Sequence, residues 1–139
     1  MMHGFFLAIA VVCRNTTHRS TVNKIMIPKA LVAASIKPFV LTILAEGDNY
    51  GYAIIQRVKK LTREQIKWTT STLYPVLHSL ENKGFLESYW QSSEGGPRRK
   101  YYHLTAKGHS VLQVEKQQWL DVHEALMQLW NPLPGLSPA

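Results

Sequence analysis

Six histidines, one cysteine and nine acidic residues are the groups in this 139-residue sequence capable of acid–base, nucleophilic or metal chemistry. Their spacing assembles none of it. The histidines fall at positions 3, 18, 78, 103, 109 and 123, with no H-x-x-x-H pair and no carboxylate at ligand spacing. Cys13 stands alone, which excludes an internal disulfide and a cysteine-based zinc site, and is consistent with a reducing cytoplasm. No glycine-rich phosphate loop follows a strand pattern, and no G-x-S-x-G elbow occurs. Nothing in the chain therefore supports an enzyme, a bound metal or a cofactor. His103, next to Tyr102 in a strand-like run, reads as structural.

The polar groups that remain do non-covalent work. Thr69, Thr70, Ser71 and Thr72 form a hydroxyl cluster, with Tyr74 and His78 following one helical turn apart. Hydroxyls can donate to phosphates, and a tyrosine can bond a phosphate or pack on a sugar. Its bland alternative is a half-buried ring at the edge of the core. Further on, Arg98, Arg99 and Lys100 stand together directly before Tyr101 and Tyr102. A short basic run is commonly just solvated; on a hairpin after a polar-faced helix it is better explained as a clamp on phosphates. The formal net charge of +7 and the pI near 9.7 favour a polyanionic partner, nucleic acid or an anionic membrane face.

Periodicity predicts the elements that must position these groups. Leu73, Val76, Leu77 and Leu80 recur as i, i+3, i+4, i+7, the stripe of an amphipathic helix with one buried face. Any of the preceding hydroxyls could cap it, and Gly84 ends it. The opposite face carries Thr70, Ser71, Tyr74, Pro75, His78 and Asn82, almost without charge. Residues 85–90 alternate as a strand, SSEGGP is a turn and RRKYYHLT a second strand, giving a two-stranded hairpin. Upstream, a buried first helix is expected over Ala30–Gly47, with Ser35 as N-cap and Pro38 in the first turn. After a GDN turn, a second helix over Tyr50–Leu61 has Ile54, Ile55, Val58 and Leu61 on one face, and Arg57, Lys59 and Lys60 exposed. TREQIKW links it to the third. Thr105 caps a long last helix that ends at about Trp130, before Asn131-Pro132. Along it Leu112, Glu115, Trp119, Val122, Leu126 and Leu129 follow three–four spacing, a coiled-coil-like seam with one polar break. One small domain cannot cover so long a stripe, so helix–helix dimerisation is the economical explanation.

The fold class is thus mainly α with a small two-stranded wing, a winged helix-turn-helix followed by a long C-terminal dimerisation helix. Its third helix would enter the major groove while the wing touches the flanking backbone. The expected domains are residues 26–104 for the winged helix, 105–130 for the dimerisation helix, and a disordered proline-rich tail at 131–139. Residues 1–25 look unlike the rest. Their apolar run from Phe5 to Cys13 is too short to span a bilayer and lacks the basic region of a signal peptide. They read as an appendage, a helix folding back on the domain, or a start placed before a natural Met26.

YGYAI, STLYPVLHSLENKGFL and GGPRRKYYHLTAKG, in this order and spacing, strongly resemble the PadR family of bacterial transcriptional regulators. The resemblance runs from about Leu31 to Trp130 and, with only one C-terminal helix, points to the smaller subtype. It implies a homodimer joined through the last helix, with a winged helix on each subunit binding double-stranded DNA at a palindromic operator, usually to repress. Carried over by position, the family's DNA-contacting elements fall on Thr70, Ser71, Thr72, Tyr74 and His78, on Arg98, Arg99 and Lys100 in the wing, and on Tyr52 where the second helix opens. The dimer interface falls on Leu112, Val122, Leu126, Leu129 and Trp130. Trp119, mid-seam, is where some small relatives stack planar aromatic compounds; its other reading is a core tryptophan filling a gap between subunits. The alternatives to a DNA-binding regulator are a dimeric small-molecule sensor acting through a protein partner, and a winged-helix interaction module without DNA contact. Arg98, Arg99 and Lys100 speak against the latter.

Overall fold

A computed structural model describes residues 27–131. The chain runs α1 (Lys29–Glu46), β1 (Asn49–Tyr50), α2 (Gly51–Leu61), α3 (Thr70–Asn82), β2 (Leu86–Gln91), β3 (Arg99–Leu104) and α4 (Ala106–Trp130). The expectations for residues 1–25 and for the tail after Asn131 lie outside the described residues.

The wing has three strands rather than two, in the order β1-β3-β2. β2 and β3 form the expected antiparallel hairpin, and β1 adds to the free edge of β3 through Asn49↔Tyr102 and Tyr50↔Tyr101. The GDN turn thus leads straight into a strand of two residues, too short to show any alternation.

α1 begins before the expected N-cap. Pro28 holds that position, and Ser35 lies inside the helix, donating its hydroxyl to the Val32 carbonyl at 2.7 Å. Pro38 is likewise internal; the Thr42 hydroxyl donates to its carbonyl at 2.7 Å. An internal proline costs about 3 kcal/mol or more. Burial of Ile36, Val40, Leu41, Ile43 and Leu44 on the same helix offsets this, since each well-buried aliphatic side chain contributes roughly 1.5–3 kcal/mol.

Those residues meet Ile54 and Val58 of α2, Leu73, Leu77 and Leu80 of α3, and Leu86, Tyr102 and Leu104 of the sheet in a single core. Ile66 and Trp68, from the segment read only as a link, also belong to it, with Trp68 edge-on to Phe39 at 5.8 Å. The link reaches them through Arg63 and Glu64, both left-handed at φ 51° and 65°.

α3 ends as its glycine predicts. Gly84, at φ 80°, donates to the Glu81 carbonyl at 2.9 Å, and Phe85 donates to Leu80 at 2.9 Å, a Schellman closure. α4 then starts against that same turn. The Thr105 hydroxyl accepts from the Gly108 N–H at 3.0 Å and donates to the Gly84 carbonyl at 2.7 Å. Lys107 reaches back to the Lys83 carbonyl at 3.0 Å. Gly108 is buried so close to Phe85 that a Cβ would overlap the Phe85 carbonyl oxygen and the Leu104 side chain.

The first half of α4 packs on α1. Leu112 is only 5% exposed in the single chain, so it belongs to the chain's own core and not to a seam facing a second copy. Glu115, the expected polar break, pairs with Lys37 of α1 at 3.2 Å. Further along, Trp119, Val122, Leu126, Leu129 and Trp130 are all exposed in the single chain.

Gly108→Ala should destabilise the fold by about 1–3 kcal/mol, the usual penalty for overfilling a packed site. Gly47→Ala, where a Cβ meets nothing within 4 Å, should leave the denaturation midpoint near wild type. Equal midpoints for the two variants would contradict the close approach at Gly108.

Candidate nucleic-acid interface

The hydroxyl cluster sits at the N-terminus of α3, but its members bond one another rather than the helix. Thr69 occupies the N-cap position and makes no side-chain cap. Its hydroxyl instead meets those of Ser71 at 2.8 Å and Thr72 at 3.0 Å. The first turn therefore offers side-chain hydroxyls together with the positive end of the helix dipole, and carries no acidic residue. Thr70, Ser71, Thr72, Tyr74, Pro75 and His78 are all exposed. Pro75 lacks an N–H, which leaves the Ser71 carbonyl without its helical donor on that same face.

Tyr74 does two things at once. Its ring is 37% exposed, while its hydroxyl end presses on the backbone at the start of α2, where a Cβ on Gly51 would lie 2.9 Å from it. The close approach gives a physical reason for the glycine of YGY and the tyrosine of TLYP. It also brings the first turn of α2, with Tyr52 at 60% exposure, beside α3.

The three basic residues of the wing have separate fates. Arg98 precedes β3, is exposed, and has no acidic partner among the described residues. Arg99 stacks its guanidinium over the Tyr50 ring at 4.6 Å. That ring continues a ladder, edge-on to Tyr101 at 5.4 Å, with Tyr89 stacked on Tyr101 at 5.8 Å. Lys100 points to the other face, over the Tyr102 ring and toward Glu81 of α3 at 4.0 Å. Trp90, across from Lys100 on that face, is 59% exposed.

Asp48 fastens the β1 turn to the wing. Its two carboxylate oxygens meet His103 Nδ1 at 2.7 Å and the Tyr89 hydroxyl at 2.8 Å. His103 is thus structural, and its carboxylate partner comes from a turn remote in sequence. The hydrogen bond to His103, and a smaller one from Tyr89, hold the Asp48 carboxyl below its ordinary value of 3.8. Donating to that carboxylate pushes the Tyr89 phenol up. Tyr102 is raised to about 12, mostly by burial and then by the nearby Glu81 charge.

No group of three or more His, Cys, Asp or Glu among the described residues could hold a metal ion. No helix among the described residues is long and apolar enough to cross a membrane. Trp119 lies 40% exposed on α4, remote in sequence from the wing and α3. Sequence reasoning missed Asp48, Glu81, Lys107 and Gly108, whose roles depend on contacts between separated segments. For Lys107 and Gly108 the available signal was the recurrence of lysine and glycine in LENKG and LTAKG.

Three helices, a wing and a hydroxyl-faced third helix define a winged helix-turn-helix protein. The match to the family model for PadR-like transcriptional regulators covers residues 40–114, and the chain belongs to that family, one of regulators rather than enzymes. It is 30% identical over 101 residues to an uncharacterized protein of Lysinibacillus sphaericus, covering 73% of this chain and 93% of that one. Among solved structures, a PadR family transcription regulator from Clostridium difficile is 33% identical with a TM-score of 0.62, over 70% of this chain and 99% of that one. A transcriptional regulator from Clostridium thermocellum superposes with a TM-score of 0.67 at 26% identity, over 74% and 97%.

Asp48 gives the site a pH signature. Its folded carboxyl titrates below the unfolded one, so its contribution to stability is complete above about pH 4. That contribution is lost as pH falls through the folded pKa. Asp48→Asn should flatten this part of the acid limb of a stability–pH curve; an unchanged limb would contradict the pairing with His103.

Proposed function

We propose that this regulator acts as a homodimer that binds a palindromic DNA operator and represses transcription. The observation that carries the reading is the meeting of two unlike surfaces. An exposed, uncharged, hydroxyl-rich face on α3 lies beside a wing whose loop presents Arg98 with no acidic partner among the described residues. Charge in that place supplies affinity without discrimination, whereas hydroxyls, Tyr74 and His78 on a helix face are suited to base edges and phosphates. Tyr52 at the start of α2 extends the same surface.

The second copy is called for by α4. A helix of 25 residues is roughly 37 Å long, and its second half leaves Trp119, Val122, Leu126, Leu129 and Trp130 uncovered. A continuous apolar row of this kind on a helix is matched most simply by the same row on a partner. Pairing would duplicate α3 and the wing across a two-fold axis, which is what a palindromic site requires. Trp119 within that row is the surface on which a planar aromatic effector would stack.

DNA duplexes recovered from a random pool by the wild-type protein provide the test. Arg98→Ala with Arg99→Ala should weaken binding at least tenfold, and the slope of log K against log salt should fall by roughly 3.6, about 0.9 for each of the four phosphates, two per subunit, no longer neutralised. Unchanged affinity and slope would remove the wing from the interface. Light scattering of the wild-type protein should give twice the chain mass of 15.8 kDa, and a single-chain mass would rule out the α4 pairing.

A further inference from the structure

Glu81 sits in the last turn of α3 and touches two strands of the wing, β2 and β3. Its Oε1 accepts from the Ser88 hydroxyl of β2 at 2.8 Å, and its Oε2 faces the Lys100 ammonium of β3 at 4.0 Å. Ser88 pairs with Tyr102 and Trp90 with Lys100, so these four residues share the wing face turned toward α3. Oε2 is buried without a hydrogen bond, as is the Tyr102 hydroxyl. A buried carboxylate oxygen in that position depends on the neighbouring lysine charge for compensation.

We propose that Glu81 is a positioning residue that sets the wing against the recognition helix and holds the partly exposed Lys100 ammonium against α3, away from DNA phosphates. The proposal rests on the reading that α3 and the wing bind DNA. Its consequence concerns specificity. A wing held at a fixed angle adds affinity only where the phosphates of a site fall beneath it. A released wing with a free lysine adds affinity on any duplex, because phosphate contacts carry no sequence information. The same carboxylate that lowers the wing's available charge therefore raises discrimination between sites. The acid of LENKG then answers the lysine of RRK for a physical reason.

Glu81→Gln separates the charge from the shape, since the amide oxygen can still accept from Ser88. Binding is measured against a pool-selected duplex and a scrambled duplex of equal length and composition. The variant should bind the scrambled duplex several-fold more tightly, with a salt slope steeper by about 1.8 for two more phosphates neutralised, one per subunit. Its preference for the selected duplex should fall about tenfold. Lys100→Gln, which leaves Glu81 in place, should keep the wild-type salt slope on both duplexes. Combined with Glu81→Gln, it should return the steepened slope to the wild-type value.

An unchanged slope in Glu81→Gln, or a parallel loss on both duplexes, would overturn the proposal and leave Glu81 a purely structural residue. A shallower slope in Lys100→Gln alone would also overturn it, by placing Lys100 on phosphate in the wild-type complex. Failure of the wild-type protein to prefer any duplex would instead defeat the DNA-binding reading itself, a result distinct from either.

Discussion

Most of this architecture hangs on one hydroxyl. Thr105 accepts from the first turn of α4 and donates to the carbonyl at the glycine that closes α3. At that point α3 ends, the wing begins and the long helix starts. Gly108 lets α4 lie directly on the Phe85 carbonyl, and Lys107 covers the Lys83 carbonyl at the end of α3. Each of these hydrogen bonds contributes about 0.5–1.5 kcal/mol net, and together they fix where the three elements meet. Three elements with separate tasks are thereby tied as one body.

That tie makes the division of labour workable. The face of α3 is nearly free of charge, and the cations belong to the wing. Yet the wing does not simply display them: Arg99 is stacked on an aromatic ladder and Lys100 is turned to Glu81, leaving Arg98 toward solvent. Asp48 adds a second anchor on the opposite sheet face through His103 and Tyr89. A wing pinned on both faces can register with α3, and registration is what converts a basic surface into a selective one.

How much of this was legible depended on the range of the interaction. α3 could be read because one face is buried by the core and its end is fixed by Gly84, both local signals. The β2–β3 hairpin could be read for the same reason. β1 could not, since two residues carry no period. Ser35 resembled a cap because serine favours caps, but a buried apolar face carried α1 past it and through Pro38. Leu112 fits three–four spacing as well as Leu126 does; spacing cannot say whether the neighbour is the chain's own α1 or a second copy, and α1 covers only the first half of α4. The pairings of Asp48 with His103 and of Glu81 with Lys100 join segments far apart in sequence, where no periodicity points from one partner to the other.

If each recognition helix, wing and long helix form one body, the distance between two half-sites is fixed by the protein. The most direct measurement takes a selected palindromic duplex and inserts about five base pairs, roughly half a helical turn, at its centre. Rotating one half-site to the opposite face should reduce affinity to that of scrambled DNA, and about ten inserted base pairs should leave it lower than the original. Equal affinity for the original and the five-base-pair insertion would contradict a rigid dimeric reader.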